Sequence, residues 1–200
     1  MPAPVKHIAI FASGAGSNAR KIIGYFKDSD RVKVSLVVCN NPNAGVIQIA
    51  ADSGIPVLMI NKKEFAETGF ITELKKFHID LIVLAGFLWK VPPVLIHAYK
   101  NSIINIHPAL LPRFGGKGMY GNAVHEAVLA SKEKQSGITI HFVDEIYDHG
   151  ATIFQAICAV DENDTAQSLA EKIHALEHQY YATEIEKLLL NKQADFKNER

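Results

Sequence analysis

The sequence predicts an α/β fold whose central sheet is mainly parallel and has about seven strands. Short runs rich in Val and Ile alternate with stretches of helical period, and the first run ends in a glycine loop. Such runs are typical of strands buried on both faces, and their alternation with helices predicts a parallel sheet with helices on both faces. No helical pattern separates the last two runs, so we expect an antiparallel, hairpin-like pair of strands near the C terminus.

The elements follow from these runs in chain order. We predict strands at residues 7–12, 34–39, 56–60, 80–86, 102–106, 138–143 and 152–159. We predict helices at residues 18–27, 44–53, 64–77, 91–100 and 122–130. A long final helix follows, because Asp164 and Gln167 form a capping-box pattern ahead of apolar residues at helical spacing. Residues 191–200 are a polar tail.

Composition excludes several classes of protein. The chain has 200 residues, of which 48% are apolar, and this is enough to bury the core of one domain. Its 21 basic and 21 acidic residues balance, which argues against a nucleic-acid partner. The longest apolar stretch, residues 79–89, is too short for a membrane span, and no apolar leader precedes the first strand. We therefore expect a cytoplasmic protein.

The two cysteines, Cys39 and Cys158, each lie in an apolar run. We expect two buried thiols in a reducing compartment, because the sequence has neither a disulfide framework nor a CxxC zinc motif.

A glycine loop, residues 13–18 (SGAGSN), follows the first strand and opens the first helix. Glycines allow close approach to the backbone, and a helix N terminus attracts anions. The backbone of Gly16, Ser17 and Asn18 is therefore a candidate phosphate site. The alternative is a glycine turn that only joins the strand to the helix.

The same loop also fits a loose dinucleotide-binding pattern. That pattern requires an acidic residue about 20 positions later, at the end of the second strand, to bind the ribose hydroxyls. Residues 39–42 read CNNP and supply no carboxylate, which argues against a nicotinamide-dependent oxidoreductase.

The run NIHP at residues 105–108 ends a predicted buried strand with two polar residues. Asn105 and His107 are two positions apart, so they share one side of the strand at its carboxyl end. An amide donor beside an imidazole can polarise a carbonyl group and move a proton. The alternative is a histidine at a strand end that only bonds to the backbone.

The acidic loop between the last two predicted strands holds the candidate partner for this histidine. Asp148, followed by a histidine and Gly150, would raise the pKa of His107 and fix its tautomer. The alternative is a plain acidic surface turn.

The last helix carries His174, Glu177 and His178, which match an inverted zinc-protease pattern. His174 and His178 share a helix face, but we expect no metal site because little chain remains to supply a third ligand.

These motifs together resemble the phosphoribosylglycinamide formyltransferases, a branch of the folate-dependent formyltransferase family. They occur in this family's order, and the resemblance covers about residues 6–190. The motifs are residues 13–18, 84–87 (LAGF), 105–112 (NIHPALLP), 141–143 (HFV) with Asp148, Gly150 and Gln155, and 177–178 (EH).

The resemblance implies transfer of a formyl group from N10 of 10-formyltetrahydrofolate to the amino group of glycinamide ribonucleotide, a step of de novo purine synthesis. The folate is a co-substrate, and no tightly bound cofactor, metal or covalent nucleophile is implied. Asn105 and a charged His107 would stabilise the oxyanion, and Asp148 would keep His107 charged near neutral pH.

The resemblance also implies binding residues. The ribonucleotide phosphate would lie on Gly16, Ser17 and Asn18, and Glu177 would contact the ribonucleotide near its sugar. The implied folate-binding residues are Lys63, Leu88, Trp89, Lys90, Val91, Asn105 and Tyr147.

The fold implied is Rossmann-like, in a single formyltransferase domain over residues 1–200. Its phosphate-binding half would be about residues 6–100, and its folate-binding and catalytic half about residues 101–190, before the polar tail. We expect small-molecule substrates only, no nucleic acid and no membrane, and a monomer or a homodimer.

Two segments depart from the family's pattern. Residues 113–121 (RFGGKGMYG) are longer than the usual segment and lack its histidine. Trp89 and Lys90 also replace a common Met-Arg or Leu-Lys pair, which affects the expected folate pocket.

Four alternative functions are weighed against this interpretation of the sequence. A formyltetrahydrofolate hydrolase would carry an additional N-terminal domain, and a methionyl-tRNA formyltransferase would carry a basic C-terminal one. Neither is expected here, because the first strand starts by His7 and the chain is neutral and stops soon after the last helix. The others are the oxidoreductase considered above and a non-enzymatic binder of phosphate ligands, which would not need Asn105, His107 and Asp148 together.

Overall fold

The computed structural model describes the backbone of residues 4–195 and the side chains of residues 4–190. Seven strands and seven helices occur in these residues. In chain order they are β1 (Lys6–Ala12), α1 (Ser17–Phe26), β2 (Val32–Cys39), α2 (Val46–Asp52), β3 (Val57–Met59), α3 (Lys62–Phe65), α4 (Thr68–Lys76), β4 (Leu81–Leu84), α5 (Pro93–Ala98), β5 (Ile103–His107), α6 (Asn122–Ala130), β6 (Gln135–Phe142), β7 (Thr152–Ala159) and α7 (Ala166–Asp195).

The first of two compact units runs to Phe87 and includes the chain from Tyr180 onward. Strand β1 pairs in parallel with β2 on one side and β4 on the other, and β2 pairs in parallel with β3. The buried ring of Phe11 on β1 packs against Phe65, Phe70 and Phe87, with centroids 5.4 to 6.3 Å away. The core of this unit therefore surrounds β1, whose carboxyl end leads into the glycine loop.

The second unit comprises Leu88–Gln179. Strand β6 pairs antiparallel with both β5 and β7, and the register of the first pair places Asn105 opposite His141. A loop from Val143 to Ala151 joins β6 to β7. This register brings the polar end of β5 next to the polar end of β6.

The predicted fold class is confirmed. The structure has seven strands, of which the first ones along the chain pair in parallel, an antiparallel pair near the C terminus and a long final helix. Element bounds differ most at the predicted helix 64–77, which is two helices, α3 and α4. Asn61 caps α3 by accepting from the backbone N–H groups of Lys63 and Glu64, and the extended backbone of Glu67 separates α3 from α4.

The predicted cap of the last helix is shifted by one residue. Thr165 Oγ1 accepts from the Ser168 N–H at 3.2 Å, and Ser168 Oγ accepts from the Thr165 N–H at 3.0 Å. Asp164 instead accepts a hydrogen bond from Lys172, and this bond is the main reason that the pKa of Asp164 is lowered to about 2. The helix extends to Asp195, past residue 191, and residues 196–200 of the predicted tail lie outside the described residues.

Two burial predictions are wrong near the C terminus. Strand β7 alternates exposed and half-buried residues, because an antiparallel strand can leave one face in water. Cys39 is buried as predicted, but Cys158 on β7 is only half-buried. Neither cysteine is in a disulfide. No helix in the described part of the chain is long and apolar enough to cross a membrane.

Candidate active site

The glycine loop of the first unit is held in place by backbone contacts. Gly16 lies directly before α1 with φ +79°, and a Cβ there would come within 2.9 Å of the Cα and Cβ of Val46. Both the left-handed backbone and the close approach of α2 therefore require glycine. The Val46 N–H donates to the Gly14 carbonyl, and the Asn41 side chain donates to the Ser13 carbonyl.

This geometry leaves the first turn of α1 as the candidate anion site. N–H groups in a first turn have no partner within their helix, and no side chain caps α1 at Gly16. Ser17 is exposed, and Gly16 and Asn18 are half-buried. At the end of β2, Asn41 binds the loop itself, so this position carries a structural amide where a dinucleotide site would have a carboxylate.

A cluster of polar side chains lies in the second unit, at the end of β5. His107 is 3% exposed, and its Nδ1 lies 3.6 Å from Asp148 Oδ2. His141 Nε2 lies 3.7 Å from Asp148 Oδ1 and 3.2 Å from Asn105 Nδ2. The structure thus brings the predicted Asn105, His107 and Asp148 together, and it adds His141.

Hydrogen bonds to carbonyl groups fix the position of one proton on each histidine. His107 Nε2 lies 2.8 Å from the Phe114 carbonyl oxygen, and His141 Nδ1 lies 2.8 Å from the Phe142 carbonyl oxygen. A carbonyl oxygen only accepts, so both of these nitrogens are protonated. The proton that His107 gains or loses is therefore the one on Nδ1, which faces Asp148.

Burial opposes the expected charge on His107 near neutral pH. Burial lowers the pKa of His107, and although Asp148 and the Phe114 carbonyl raise it, the net pKa is below the ordinary value. The sequence could show the carboxylate but not how completely the imidazole is buried. The lowered pKa favours the neutral ring near pH 7, and Nδ1 is the ring nitrogen that faces Asp148.

The segment after Pro112 positions both His107 and Asp148. The Phe114 carbonyl accepts from His107, and the Gly116 N–H donates to Asp148 Oδ2 at 2.8 Å. Phe114 and Asp148 both have left-handed backbones, with φ near +57° and +55°. A Cβ at Gly115 would lie 2.5 Å from Leu111 Cδ2 and 3.1 Å from Asp148 Cβ. The segment that departs from the family's pattern is therefore part of the site.

Thr139 on β6 holds the turn that follows His107. Its buried hydroxyl donates to the Ala109 carbonyl at 2.7 Å and accepts from the Leu111 N–H at 3.0 Å. The Gln155 side chain bonds both to this hydroxyl and to the Leu111 carbonyl. A cross-strand pair of β6 and β7 thus sets the path of the chain after His107.

We expect Thr139→Val to lower the free energy of unfolding by about 1–3 kcal/mol, because the Ala109 carbonyl and the Leu111 N–H lose their buried partner. Urea unfolding would measure the loss. Thr139→Ser keeps the hydroxyl and is the control. Equal stability of the Val and Ser variants would contradict this role.

A cavity of about 290 Å³ lies beside Asp148. Its lining includes Leu111, Pro112, Gly116 and Tyr147. Lys90 Nζ lies 5.5 Å from the centre of the Tyr147 ring, so two predicted folate-binding residues are neighbours.

The other predicted binding residues differ in their surroundings. Leu88 and Lys90 are exposed, Trp89 is half-buried and Val91 is buried. Lys63 lies exposed on α3 of the first unit. Glu177 is buried on α7, with Oε2 3.9 Å from His174 Nδ1. Among the described residues, no three His, Cys, Asp or Glu side chains are arranged to hold a metal ion.

Three buried imidazoles predict a pH dependence of stability. Burial lowers the pKa of His107, His125 and His141 below the ordinary value. Unfolded imidazoles titrate near about 6.5, so on acidification the unfolded chain takes up these protons first. The free energy of unfolding should therefore fall as pH falls from about 7.5 to about 5.5.

Urea unfolding at a series of pH values measures this fall. His125→Gln should weaken the pH dependence, because the Gln side chain does not titrate. His97→Gln changes an exposed histidine and is the control. A free energy of unfolding that stays constant over this range would contradict the prediction.

Comparisons with known proteins agree on one family. The family model described as "Formyl transferase" matches residues 6–185. Phosphoribosylglycinamide formyltransferase of Bacillus subtilis is 38% identical over 191 residues, covering 92% of this chain and 95% of that protein. The chloroplastic protein of that name from Vigna unguiculata is 44% identical over 189 residues, covering 92% of this chain.

Solved structures show the same relationship. Phosphoribosylglycinamide formyltransferase from Anaplasma phagocytophilum superposes with a TM-score of 0.86 at 34% identity, covering 94% of this chain and 89% of that one. The protein of that name from Bacillus halodurans gives 0.83 at 37% identity, covering 92% and 95%.

The chain spans 61% and 63% of the length of the two plant relatives from Vigna unguiculata and Arabidopsis thaliana. The resemblance inferred from the motifs is nevertheless confirmed, since the match covers nearly all of the described residues and extends to whole bacterial relatives. The chain belongs to the formyl transferase family, on its phosphoribosylglycinamide formyltransferase branch.

Proposed function

We propose that this protein transfers the formyl group of 10-formyltetrahydrofolate to the amino group of 5′-phosphoribosylglycinamide. The products are formylglycinamide ribonucleotide and tetrahydrofolate, in de novo purine biosynthesis. The observation that carries the proposal is the cluster of Asn105, the buried His107 and Asp148 in a chain of this family.

The chemistry needs a site for a developing oxyanion. The substrate amine attacks the formyl carbon and forms a new C–N bond, and the formyl oxygen gains negative charge. The Asn105 amide, which is half-buried at the end of β5, is the proposed donor to that oxygen. The C–N10 bond then breaks and the carbonyl group re-forms.

A proton must also move from the attacking nitrogen to N10 of the folate. The Nε2 proton of His107 is held by the Phe114 carbonyl and its lowered pKa favours the neutral ring, so Nδ1 is the proposed acceptor of this proton. Asp148, 3.6 Å from Nδ1, stabilises the imidazolium as it forms. The charge on His107 then develops with the oxyanion, and the same proton passes to N10 when that bond breaks.

Substrate binding is assigned to two groups of residues. The backbone of Gly16, Ser17 and Asn18 would bind the phosphate, and Glu177 would contact the ribonucleotide near its sugar. The folate would use the cavity beside Asp148, together with the residues implied by the family. These residues are Lys63, Leu88, Trp89, Lys90, Val91, Asn105 and Tyr147.

One assay tests the reaction. The protein is mixed with 10-formyltetrahydrofolate in the presence or absence of 5′-phosphoribosylglycinamide, and tetrahydrofolate formation is followed by absorbance. Turnover only with the ribonucleotide supports the proposal. Turnover without it identifies a hydrolase, and no turnover in either mixture contradicts the proposal.

Location and assembly complete the proposal. We place the protein in the cytoplasm as a monomer or a homodimer, with small molecules as its only substrates. The absence of disulfides among the described cysteines suits a reducing compartment, whereas two plant relatives are named as chloroplastic. Fluorescent tagging and sedimentation test these two statements.

A further inference from the structure

The carboxamide of Asn105 has a specific neighbour on the adjacent strand. Asn105 on β5 is opposite His141 on β6 in the antiparallel register, and Asn105 Nδ2 lies 3.2 Å from His141 Nε2. His141 is 2% exposed, so its ring has no alternative partner in bulk water. The mechanism above uses Asn105 and His107 but leaves His141 without a role.

The protons of His141 determine which end of the Asn105 amide faces it. Nδ1 is protonated because it donates to the Phe142 carbonyl at 2.8 Å. Asn105 Nδ2 lies 3.2 Å from Nε2, and burial lowers the pKa of His141 below the ordinary value, which favours the neutral ring with a lone pair on Nε2. A lone pair needs a donor, and only the NH₂ end of a carboxamide donates. The opposite amide orientation would place two acceptors against each other.

We propose that His141 is a positioning residue that holds the Asn105 carboxamide with its NH₂ group in the orientation required of an oxyanion donor. The inference rests on the proposed function for its catalytic consequence. One N–H of Asn105 bonds to His141 Nε2, and the second N–H is left for the formyl oxygen. The Phe142 carbonyl thus determines the tautomer of His141, and this tautomer in turn determines the orientation of the Asn105 amide.

Protonation of His141 should reverse this arrangement. An imidazolium donates from Nε2, so it no longer accepts from Asn105 and instead favours the amide oxygen or Asp148 Oδ1, which is 3.7 Å away. Asp148 and Asp144 from the β6–β7 loop favour the charged ring, and His107 on β5 opposes it. Acidification should therefore turn the oxyanion donor away and lower kcat.

The first test reads the tautomer directly and needs no substrate. The wild-type protein is labelled with ¹⁵N-histidine, and the ring nitrogens are correlated with the ring protons by NMR at neutral pH. His141→Gln identifies the His141 resonances by their loss. We expect protonated Nδ1 and unprotonated Nε2, and a protonated Nε2 overturns the inference whatever the enzyme's activity.

The second test separates positioning from structural support. His141→Leu removes the acceptor, and kcat should fall about 10- to 100-fold, less than the 10²–10³ typical of a lost oxyanion donor, with both KM values within about threefold. His141→Gln places an amide oxygen near Nε2 that accepts from Asn105 and does not titrate. It should recover kcat to within about threefold of wild type and move the acidic fall of kcat to lower pH.

The control is His97→Gln, which changes an exposed histidine by the same substitution. Equal kcat losses in the Leu and Gln variants, or losses confined to KM, would overturn the positioning role. If wild-type protein fails to transfer formyl groups at all, the proposed function fails, and the NMR result still decides the tautomer.

Discussion

His107→Ala and Asn105→Ala should each lower kcat by about 10²–10³-fold or more under saturating substrates. The first removes the Nδ1 atom that is proposed to take the proton beside Asp148, and the second removes the proposed donor to the oxyanion. Steady-state assays with both substrates varied would measure the losses, and circular dichroism would check that each variant is folded.

A double variant and a control sharpen this result. If both residues act on the same transition state, Asn105→Ala with His107→Ala should lose much less than the product of the single losses. His97→Ala, at an exposed position, should retain full activity. Single variants that are folded and within tenfold of wild type would show that the reaction does not depend on this pair.

Gly150→Ala should both destabilise the protein and impair the site. A Cβ at residue 150 would lie 1.9 Å from the Phe142 carbonyl oxygen and 2.8 Å from its carbon, and neither backbone atom can move alone. Overpacking of this kind costs about 1–3 kcal/mol of folding free energy, or more where backbone must shift. The Phe142 carbonyl also accepts from His141, so kcat should fall with stability.

Gly69→Ala is the matched control for this substitution. A Cβ at Gly69 meets nothing within 4 Å, and the residue lies in helix α4. Alanine there should leave kcat unchanged and raise the free energy of unfolding by up to about 1 kcal/mol. The account of Gly150 is wrong if its alanine variant has the melting temperature and kcat of wild type.

The elements of the fold could be predicted because local pattern and tertiary burial agree. Runs such as residues 34–39 are both rich in β-branched residues and buried in the parallel strands. Where the two disagree, prediction failed: residues 64–77 have helical period throughout, but the Asn61 cap and the extended backbone at Glu67 divide them. Strand β7 is mostly apolar in sequence, but one of its faces is exposed to solvent.

The site could be predicted only as far as one strand and one loop allow. Asn105 and His107 share a side of β5 by spacing alone, and Asp148, followed by a histidine and Gly150, is the acidic candidate in the loop between the last two predicted strands. The role of His141 depends on cross-strand register, although a histidine in the otherwise apolar run 138–143 was a usable signal. The position of the Phe114 carbonyl depends on a left-handed backbone at Phe114, which the residue type does not predict.

The pKa of His107 also could not be predicted from the sequence. A carboxylate in the sequence predicts a raised pKa, but burial outweighs it and the net pKa is lowered. A lowered pKa favours the neutral imidazole, which suits the proposed role of His107 as proton acceptor. Burial of this kind is a property of the whole fold, which the order of residues near His107 does not reveal.

The most direct test of the account follows the formyl carbon itself. 10-Formyltetrahydrofolate carrying ¹³C in its formyl group is mixed with the protein and 5′-phosphoribosylglycinamide, and the label is followed by ¹³C NMR. The account predicts that the label moves to the formamide of the ribonucleotide, about 10²-fold or more faster in wild type than in His107→Ala. Label that appears as free formate, or that stays on the folate, would contradict it.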